Sequence, residues 1–340
     1  MCAEPGVATR VHYNPVMLLA GDLGGTKTLL GLFERGDRRP TPVGTRGYPT
    51  HEFTSFTEIL DAFAHDMGQS LSVEAAAVGV AGPVVDQSAR LTNIEWHVTA
   101  ADIGARLGTR HVALLNDLEV MAHSVAVLDG EELVVLQRGM ARSDGNAVVI
   151  AAGTGLGQAY LHRVNGRLKP VASEGGHADF APRTDREIDL LRMLRGRYGR
   201  AEVEQVVSGL GLVNLHRFTH GGSTCDAVRG LEPQDIPAAV SQAGLDKRCP
   251  QCVEALTMFV EAYGSEAGNL ALRGVATGGV FIGGGIAPKI LPALQDGRFM
   301  TAFRAKAPMA DLLSGMLVQV IVNAEAGLLG AAVAAQDLLA

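Results

Sequence analysis

The chain has 340 residues, 36 of them acidic and 29 basic, which gives a formal net charge of −7. This balance offers no electrostatic surface for nucleic acid or an anionic membrane, so neither is expected as a partner. No apolar run is long enough to cross a bilayer, and residues 1–16 lack the apolar core of a signal peptide. We therefore expect a cytoplasmic protein, with a length that leaves room for two domains.

The first predicted element is a strand that runs into a glycine-rich turn. Apolar runs at 18–20 and 29–33 flank this turn without helical spacing, which predicts a strand–turn–strand hairpin. Because glycine has no Cβ, the turn can bring backbone N–H groups close to a phosphate. Its spacing is neither that of a Walker A loop nor that of a dinucleotide-binding Gly-x-Gly-x-x-Gly motif. The turn consists of Gly21-Asp22-Leu23-Gly24-Gly25-Thr26.

Helices and strands alternate after the hairpin. Apolar spacing predicts a helix over 53–65, buried strands over 75–80 and 111–115, and a helix from about 118 to 127. Asn116 and Asp117 therefore stand where a strand ends and a helix begins, the edge at which α/β proteins gather ligands. Helix amides favour an ionised Asp117, which can then accept a proton from an alcohol. Both residue types are also common helix caps, and the residues alone leave the two roles open.

Two more glycine-rich turns follow apolar strands in the second half. The first, Gly153-Thr154-Gly155-Leu156-Gly157, lies between strand-like runs and predicts a second hairpin. The other, Gly283-Gly284-Gly285, leads into a predicted helix over 287–294 with proline in its first turn, and can border an adenosine. Neither hairpin is followed by the helix that a dehydrogenase needs. Any one turn fits an ordinary tight turn, whereas the three together predict a nucleotide held between two lobes.

These motifs, in their order and approximate spacing, resemble the bacterial-type glucokinases of the actin, sugar kinase and Hsp70 superfamily. The resemblance runs from Leu18 to the C-terminus and also includes Glu174-Gly175-Gly176-His177. It implies an α/β, two-lobed, actin-like ATPase (ribonuclease H-like) fold with the active site in the interdomain cleft. The implied domains are a flexible extension over 1–16, a small α/β domain over 17–127 plus about 322–340, and a large α/β domain over 128–321.

The resemblance also implies an activity and residues that carry it. The activity is phosphorylation of glucose at its C6 hydroxyl by ATP, the first step of glycolysis, in a Mg²⁺-dependent enzyme that often forms homodimers. Asp117 is the implied general base. The implied sugar ligands are Asn116, Asp117, Glu174, His177 and Glu204. For Glu204 the residue alone favours a solvated surface ion pair.

The glycine turns supply the implied nucleotide ligands. Thr26 and Thr154 add hydroxyl donors to the phosphates, whereas a charge contact from Lys27 is optional. A bare carboxylate at Asp22 would repel phosphates, so we expect this side chain to contact Mg²⁺ through a water molecule. The alternative is that Asp22 forms a hydrogen bond within its own turn. The full nucleotide set is Gly21, Asp22, Leu23, Gly24, Gly25, Thr26, Gly153, Thr154, Gly155, Gly283, Gly284 and Gly285.

The four cysteines are too few for a disulfide scaffold. Cys249 and Cys252 precede a predicted helix over 253–260, whose N-terminus would lower a thiol pKa and permit redox chemistry. A zinc site would need two more ligands, and no nearby Cys or His spacing predicts them. The cysteine-rich zinc motif of the related ROK repressors and kinases is missing.

Three other functions stay open to different degrees. A kinase for another hexose or amino sugar would use the same residues, and a non-catalytic sugar-binding protein would keep the fold. The presence of Asp117 beside all three glycine turns argues against the second. A sugar-responsive transcription factor would need a helix-turn-helix segment, and the 17 or so residues before the first strand are expected to be too few.

Overall fold

The structure is a computed structural model that describes residues 16–68, 71–91 and 94–340. The extension predicted over 1–16 thus lies outside the described residues, except for Val16. The chain divides into two compact units, Met1–Leu115 with Ala331–Ala340, and Asn116–Gly330. Each unit is built around its own large sheet.

The first unit contains a five-stranded sheet in the order β3-β2-β1-β4-β8 and a small sheet in the order β5-β6-β7. Two helices, α1 and α2, accompany them. The strands are β1 (Met17–Leu23), β2 (Lys27–Glu34), β3 (Thr41–Pro49), β4 (Ala75–Val80), β5 (Val84–Val85), β6 (Ser88–Arg90), β7 (His97–Thr99) and β8 (Val112–Asn116). The helices are α1 (Phe56–Asp66) and α2 (Ala100–Leu107).

The first predicted hairpin is confirmed, because β1 and β2 pair antiparallel from Met17↔Glu34 to Leu23↔Thr28. On its other side β1 pairs parallel with β4, all six residues of which are buried. A strand covered on both faces needs the continuous apolar run seen here. The predicted helix over 53–65 begins later, at Phe56, because the Ser55 side chain accepts a hydrogen bond from the Glu58 amide and caps it.

The second unit contains a six-stranded sheet in the order β12-β11-β10-β13-β14-β9. Helices precede, connect and follow its strands. The strands are β9 (Leu133–Gln137), β10 (Ala147–Ala152), β11 (Leu156–Val164), β12 (Arg167–Ser173), β13 (Gly279–Gly283) and β14 (Val318–Ile321). The helices are α3 (Asp117–Ser124), α4 (Asp185–Tyr198), α5 (Gly209–Thr219), α6 (Ile236–Leu245), α7 (Pro250–Gly274), α8 (Leu291–Leu294), α9 (Arg298–Arg304), α10 (Ala310–Ser314) and α11 (Ala326–Asp337), whose last residues belong to the first unit.

The register of this sheet brings the second and third glycine turns together. β10 pairs antiparallel with β11, which confirms the second hairpin, and parallel with β13 up to Ala151↔Gly283. Parallel neighbours end at the same sheet edge, so both turns leave the sheet side by side. The buried Tyr263 hydroxyl reinforces this edge: it accepts from the Ala152 amide at 3.2 Å and lies 3.3 Å from the Gly283 carbonyl oxygen.

The helix predicted after the third turn is present in a shorter form. A 3₁₀ turn over Ala287–Ile290 leads into the single turn of α8, with Pro288 and Pro292 near their respective starts. The helix predicted from about 118 to 127 is α3, one residue earlier at its start and three shorter at its end. None of the helices in the described ranges is long and apolar enough to span a bilayer.

Candidate active site

Asn116 and Asp117 lie at the N-terminus of α3, directly after β8. The Asn116 Oδ1 atom accepts a hydrogen bond from the Leu118 amide at 2.9 Å, and Asp117 Oδ1 accepts from the same amide at 2.8 Å. Asn116 is therefore a helix cap, the alternative that the sequence left open. Both side chains are half-buried, so the cap holds the carboxylate at a fixed place in the first turn.

Helix α3 packs directly against the second and third glycine turns. A methyl group on Gly157 would lie 2.0 Å from Leu118 Cδ2 and 2.1 Å from Leu118 Cγ. One on Gly283 would lie 2.7 Å from Met121 Sδ. Such distances leave no room for any side chain larger than hydrogen. The glycines thus allow the helix that carries Asp117 to approach both turns closely.

A cavity of about 540 Å³ opens beside these two turns. Three of the residues that the sequence predicts to bind the nucleotide line it: Gly153, Thr154 and Gly285. The other predicted glycines of these turns are absent from its lining: Gly155 faces Glu204, Gly283 lies under Met121, and a Cβ on Gly284 would meet the Ala152 carbonyl oxygen at 2.3 Å. Its remaining walls are Gly209, Leu210, Leu212, Val213, Pro233, Gln234, Ile236, Pro237, Ala238, Ser241, Ile286 and Lys289.

The wall residues from α5 and α6 have no predicted role in the sequence. The signal that could have identified them is the stretch Val207-Ser208-Gly209, in which a serine stands where it can cap a helix. In the structure Ser208 caps α5 by accepting from the Gly211 amide at 3.0 Å. The Gly209 amide donates to the Gly153 carbonyl oxygen at 2.8 Å, which joins the start of α5 to the second glycine turn. This contact places α5 along the cavity.

Glu204 contacts the second glycine turn. Its Oε2 atom accepts from the Leu156 amide at 2.8 Å, and a methyl group on Gly155 would lie 2.6 Å from the same oxygen. The Glu204 amide in turn donates to the Gly176 carbonyl oxygen at 2.9 Å. The structure therefore brings Glu204 together with both the glycine turn and the motif at 174–177, in place of the surface ion pair that the residue alone suggests.

Glu174 directly precedes a 3₁₀ turn over Gly175–His177, of which His177 is the last residue, and both side chains are exposed. His177 Nδ1 donates to Glu202 Oε2 at 2.8 Å, and Glu202 Oε1 lies 2.8 Å from Arg200 Nη2. The hydrogen bond to Glu202 raises the pKa of His177 above its ordinary value, and the same bond lowers the pKa of Glu202. Glu202, which the sequence analysis did not identify, thus orients His177.

We expect Glu202→Gln to lower the pKa of His177 toward its ordinary value, because an amide stabilises the imidazolium less than a carboxylate does. Since the folded pKa is raised, the contact stabilises the fold fully below the ordinary pKa of histidine and less as pH rises through the raised value. An NMR titration of the His177 ring measures this change. Glu254→Gln, which removes an exposed partner of Arg186, is the control. An unchanged His177 pKa in Glu202→Gln would contradict the assignment.

The first glycine turn lies in the first unit, between β1 and β2. The Gly24 amide donates to the Lys27 carbonyl oxygen at 3.2 Å, and Thr50 Oγ1 donates to the Gly24 carbonyl oxygen at 2.8 Å. Thr50 also donates its amide to the Thr26 carbonyl oxygen at 2.9 Å. Thr50, another residue without a predicted role, therefore holds the turn from both ends.

Asp22 belongs to this glycine-rich stretch, lies in the part of it that forms the end of β1, and is half-buried. Burial raises its pKa above the ordinary value, which means that ionisation is costly there. A bound cation would offset that cost, and carboxylate oxygens are ligands that Mg²⁺ prefers. The residue therefore fits the predicted metal-facing role.

The cysteine pair lies beside further histidine and cysteine side chains that could bind a metal ion. His216, His220 and Cys225 all lie beside Cys249 and Cys252. The sequence spacing provides no two further ligands for a zinc site, and the structure corrects the inference that they are missing. Spacing could not show this, because the ligands come from chain segments that only the fold brings together.

Comparison with known proteins gives the family. The family model for glucokinase matches residues 19–338, almost the whole chain. The chain belongs to the glucokinase family. A glucokinase of Synechocystis sp. is 38% identical in an alignment of length 347 that covers 94% of this chain and 98% of that protein. The resemblance inferred from the motifs is thereby confirmed, and the chain is an enzyme of a kinase family.

Solved structures of glucokinases have the same fold as this chain. A crystal structure of glucokinase from an Antarctic psychrotroph has a TM-score of 0.83 at 28% identity and covers 94% of this chain and 99% of that chain. A ROK family glucokinase from Streptomyces griseus has a TM-score of 0.61 at 22% identity, covers 94% of this chain and 99% of that chain, and shows the fold alone. The predicted α/β actin-like ATPase fold is confirmed.

Proposed function

We propose that this member of the glucokinase family transfers the γ-phosphoryl group of ATP to the C6 hydroxyl of glucose, giving glucose 6-phosphate and ADP. One observation carries the proposal. The helix that begins with Asp117 packs against the same two glycine turns whose residues line the 540 Å³ cavity. A carboxylate that can act as a base and a cavity suited to a nucleotide therefore belong to one structural unit.

The cavity fits the nucleoside part of ATP. Its volume lies within the roughly 300–1,000 Å³ of typical small-molecule sites. Leu212, Val213 and Ile236 give it apolar walls for a flat base, whereas Thr154 and Lys289 supply polar groups at its border. The second turn, two residues of which line the cavity, is the proposed binding site for the phosphates. Thr154 is exposed there and its hydroxyl is our proposed phosphate donor.

Asp117 is the proposed general base, with Asn116 as a sugar ligand beside it. Phosphoryl transfer needs little covalent help from the protein, so alignment of the hydroxyl and acceptance of its proton are the main tasks of this carboxylate. Glu174, His177 and Glu204 are the proposed ligands for the other sugar hydroxyls, supported by the backbone contact between Glu204 and Gly176. A sugar that lacks one of these hydroxyls would leave a polar group unpaired, at a cost of roughly 1–3 kcal/mol.

The first glycine turn is proposed to hold the phosphates from the other domain. Its donors would be the backbone amides of 21–26 and the hydroxyl of Thr26. Asp22 would hold Mg²⁺ through water, and the ion when bound neutralises phosphate charge. This arrangement needs the site to lie in the cleft between the predicted domains, over 17–127 with about 322–340 and over 128–321. A cytoplasmic homodimer stays a prediction.

A coupled assay of the purified protein with a panel of hexoses and phosphoryl donors tests the proposal. We expect the highest kcat/KM with glucose and MgATP, and no turnover after Mg²⁺ is removed by a chelator and ATP alone is supplied. A higher kcat/KM for mannose or glucosamine than for glucose would support the same phosphoryl transfer but assign a different sugar as the substrate. Sugar binding without turnover for any donor would favour a non-catalytic sugar-binding protein.

A further inference from the structure

A cluster of histidine and cysteine side chains lies in the second unit, outside the residues assigned to the reaction. Its members come from three segments: the end of α5, the loop that follows it, and the first turn of α7. One ligand atom from each of four residues lies within 4.8 Å of the other three. The four are His216, His220, Cys225 and Cys252. Cys249, at the N-cap of α7, adjoins them.

Two of the separations between these atoms have the length found in a tetrahedral metal site. His216 Nε2 lies 3.5 Å from Cys225 Sγ, and Cys225 Sγ lies 3.7 Å from Cys252 Sγ. Zinc bonds of 2.3 Å to sulfur and 2.0–2.1 Å to nitrogen place neighbouring ligand atoms about 3.3–3.8 Å apart. A disulfide would require about 2.05 Å between the sulfur atoms. These two separations, with all four ligand atoms within 4.8 Å of one another, are consistent with ligands that close around one ion.

The surroundings of the ligands also suit a metal ion. The His220 Nδ1 atom donates to the His216 carbonyl oxygen at 2.8 Å, which fixes the tautomer and leaves Nε2 as the ligand atom. In metal-binding histidines, the ring nitrogen that does not bind the metal regularly donates such a hydrogen bond. Cys252 is fully buried and His216 is 6% exposed, so an ion here would be largely shielded from water.

We propose that His216, His220, Cys225 and Cys252 bind one thiophilic divalent ion of the zinc class. Binding displaces the thiol protons of Cys225 and Cys252 to solvent and changes no oxidation state. Cys249 Sγ lies 3.4 Å from His220 Nε2 and borders the site as a neighbouring thiol. All four ligand positions are filled by protein, which is the pattern of a structural site.

The ion would fasten one wall of the 540 Å³ cavity. In the sequence, the loop after α5 and helix α6 lie between the ligands on α5 and the ligand on α7. This loop and α6 contribute Pro233, Gln234 and Ile236 to that wall. Closing this long loop by a metal restricts its freedom in the same way as a crosslink. We therefore expect removal of the ion to raise the KM for ATP more than the KM for glucose, an effect that rests on the proposed function. The expected metal content is independent of the proposed function.

The test uses the full chain and measures bound metal. Protein purified from zinc-supplemented cells is expected to contain one equivalent of zinc per chain by elemental analysis. Cys252→Ser and His216→Asn should each lose it, whereas His162→Asn, an exposed histidine on β11, should retain it. Because a variant of buried Cys252 can fail to fold, a second measurement uses the wild type. Zinc is removed by a chelator and Co²⁺ is added alone, which should produce thiolate-to-cobalt charge-transfer absorption and restore the Tm lost on chelation.

Two outcomes would overturn the proposal. One is wild-type protein that binds neither zinc nor cobalt, including after reduction of its thiols. The other is folded Cys252→Ser and His216→Asn variants that retain a full equivalent of zinc. A disulfide between Cys225 and Cys252 in the protein as purified under reducing conditions, detected by mass spectrometry, would likewise exclude the site.

Discussion

Asp117→Asn is expected to lower kcat by roughly 10²- to 10⁴-fold, the usual contribution of a general base. The amide cannot accept the proton of the sugar hydroxyl. It still offers an oxygen to the Leu118 amide, which Asp117 Oδ1 now contacts at 2.8 Å, so the first turn of α3 should keep its geometry. Steady-state kinetics with glucose and MgATP measure the loss, and calorimetry should show that glucose still binds.

Asp185→Asn is the matched control, because Asp185 is an exposed aspartate that also begins a helix, α4. Loss of its charge should cost only the modest interaction of a carboxylate with a helix N-terminus and leave kcat unchanged. Turnover of Asp117→Asn within a few fold of the wild type would remove Asp117 from its role as base. The family assignment would stand in that case, and the base would have to be sought elsewhere.

Gly157→Ala is expected to lower kcat by about 10²-fold, since a displacement near 1 Å at a reacting group can have such an effect. The added methyl group would meet Leu118 at 2.0–2.1 Å, at both Cδ2 and Cγ, so the side chain next to Asp117 must move. Overpacking of this kind also lowers the free energy of unfolding by about 1–3 kcal/mol. Kinetics and urea denaturation measure the two effects.

The double variant Gly157→Ala with Leu118→Ala distinguishes displacement of the helix that carries Asp117 from a general loss of stability. Removing the Leu118 side chain makes room for the methyl group, so we expect the double variant to regain part of the kcat lost in Gly157→Ala. Gly196→Ala is the control for the change of residue type, because a Cβ at this position in α4 meets no heavy atom within 4 Å. A double variant slower than both single variants would show that the packing of α3 on the glycine turn does not position Asp117.

Much of the fold could be predicted from local patterns. The two hairpins, β4 and the start of α3 follow from apolar runs broken by glycine, because a strand buried on both faces and a turn with close backbone approach each demand those residues. Element ends were less predictable. The start of α1 depends on the Ser55 cap, and α7 begins at Pro250, three residues before the predicted 253, because proline is well placed in a first turn.

The candidate site was predictable where a motif is contiguous and not where the fold assembles it. Asn116 and Asp117 are adjacent in the chain and mark a strand–helix junction. Glu202, by contrast, reaches His177 across 25 residues and looks like any other glutamate in the sequence. The cavity walls from α5 and α6, and the cluster around Cys252, depend on helix packing that no short-range spacing records.

The carboxylate and the cavity walls come from different helices. Asp117 belongs to α3, whose position depends on Gly157 and Gly283, whereas Val213, Ile236 and Ser241 belong to α5 and α6. Substitutions in α5 and α6 can therefore reshape the pocket for another nucleoside without disturbing the packing of α3. Evolution or engineering could in this way alter which phosphoryl donor is accepted, while the residues that carry out phosphoryl transfer stay unchanged.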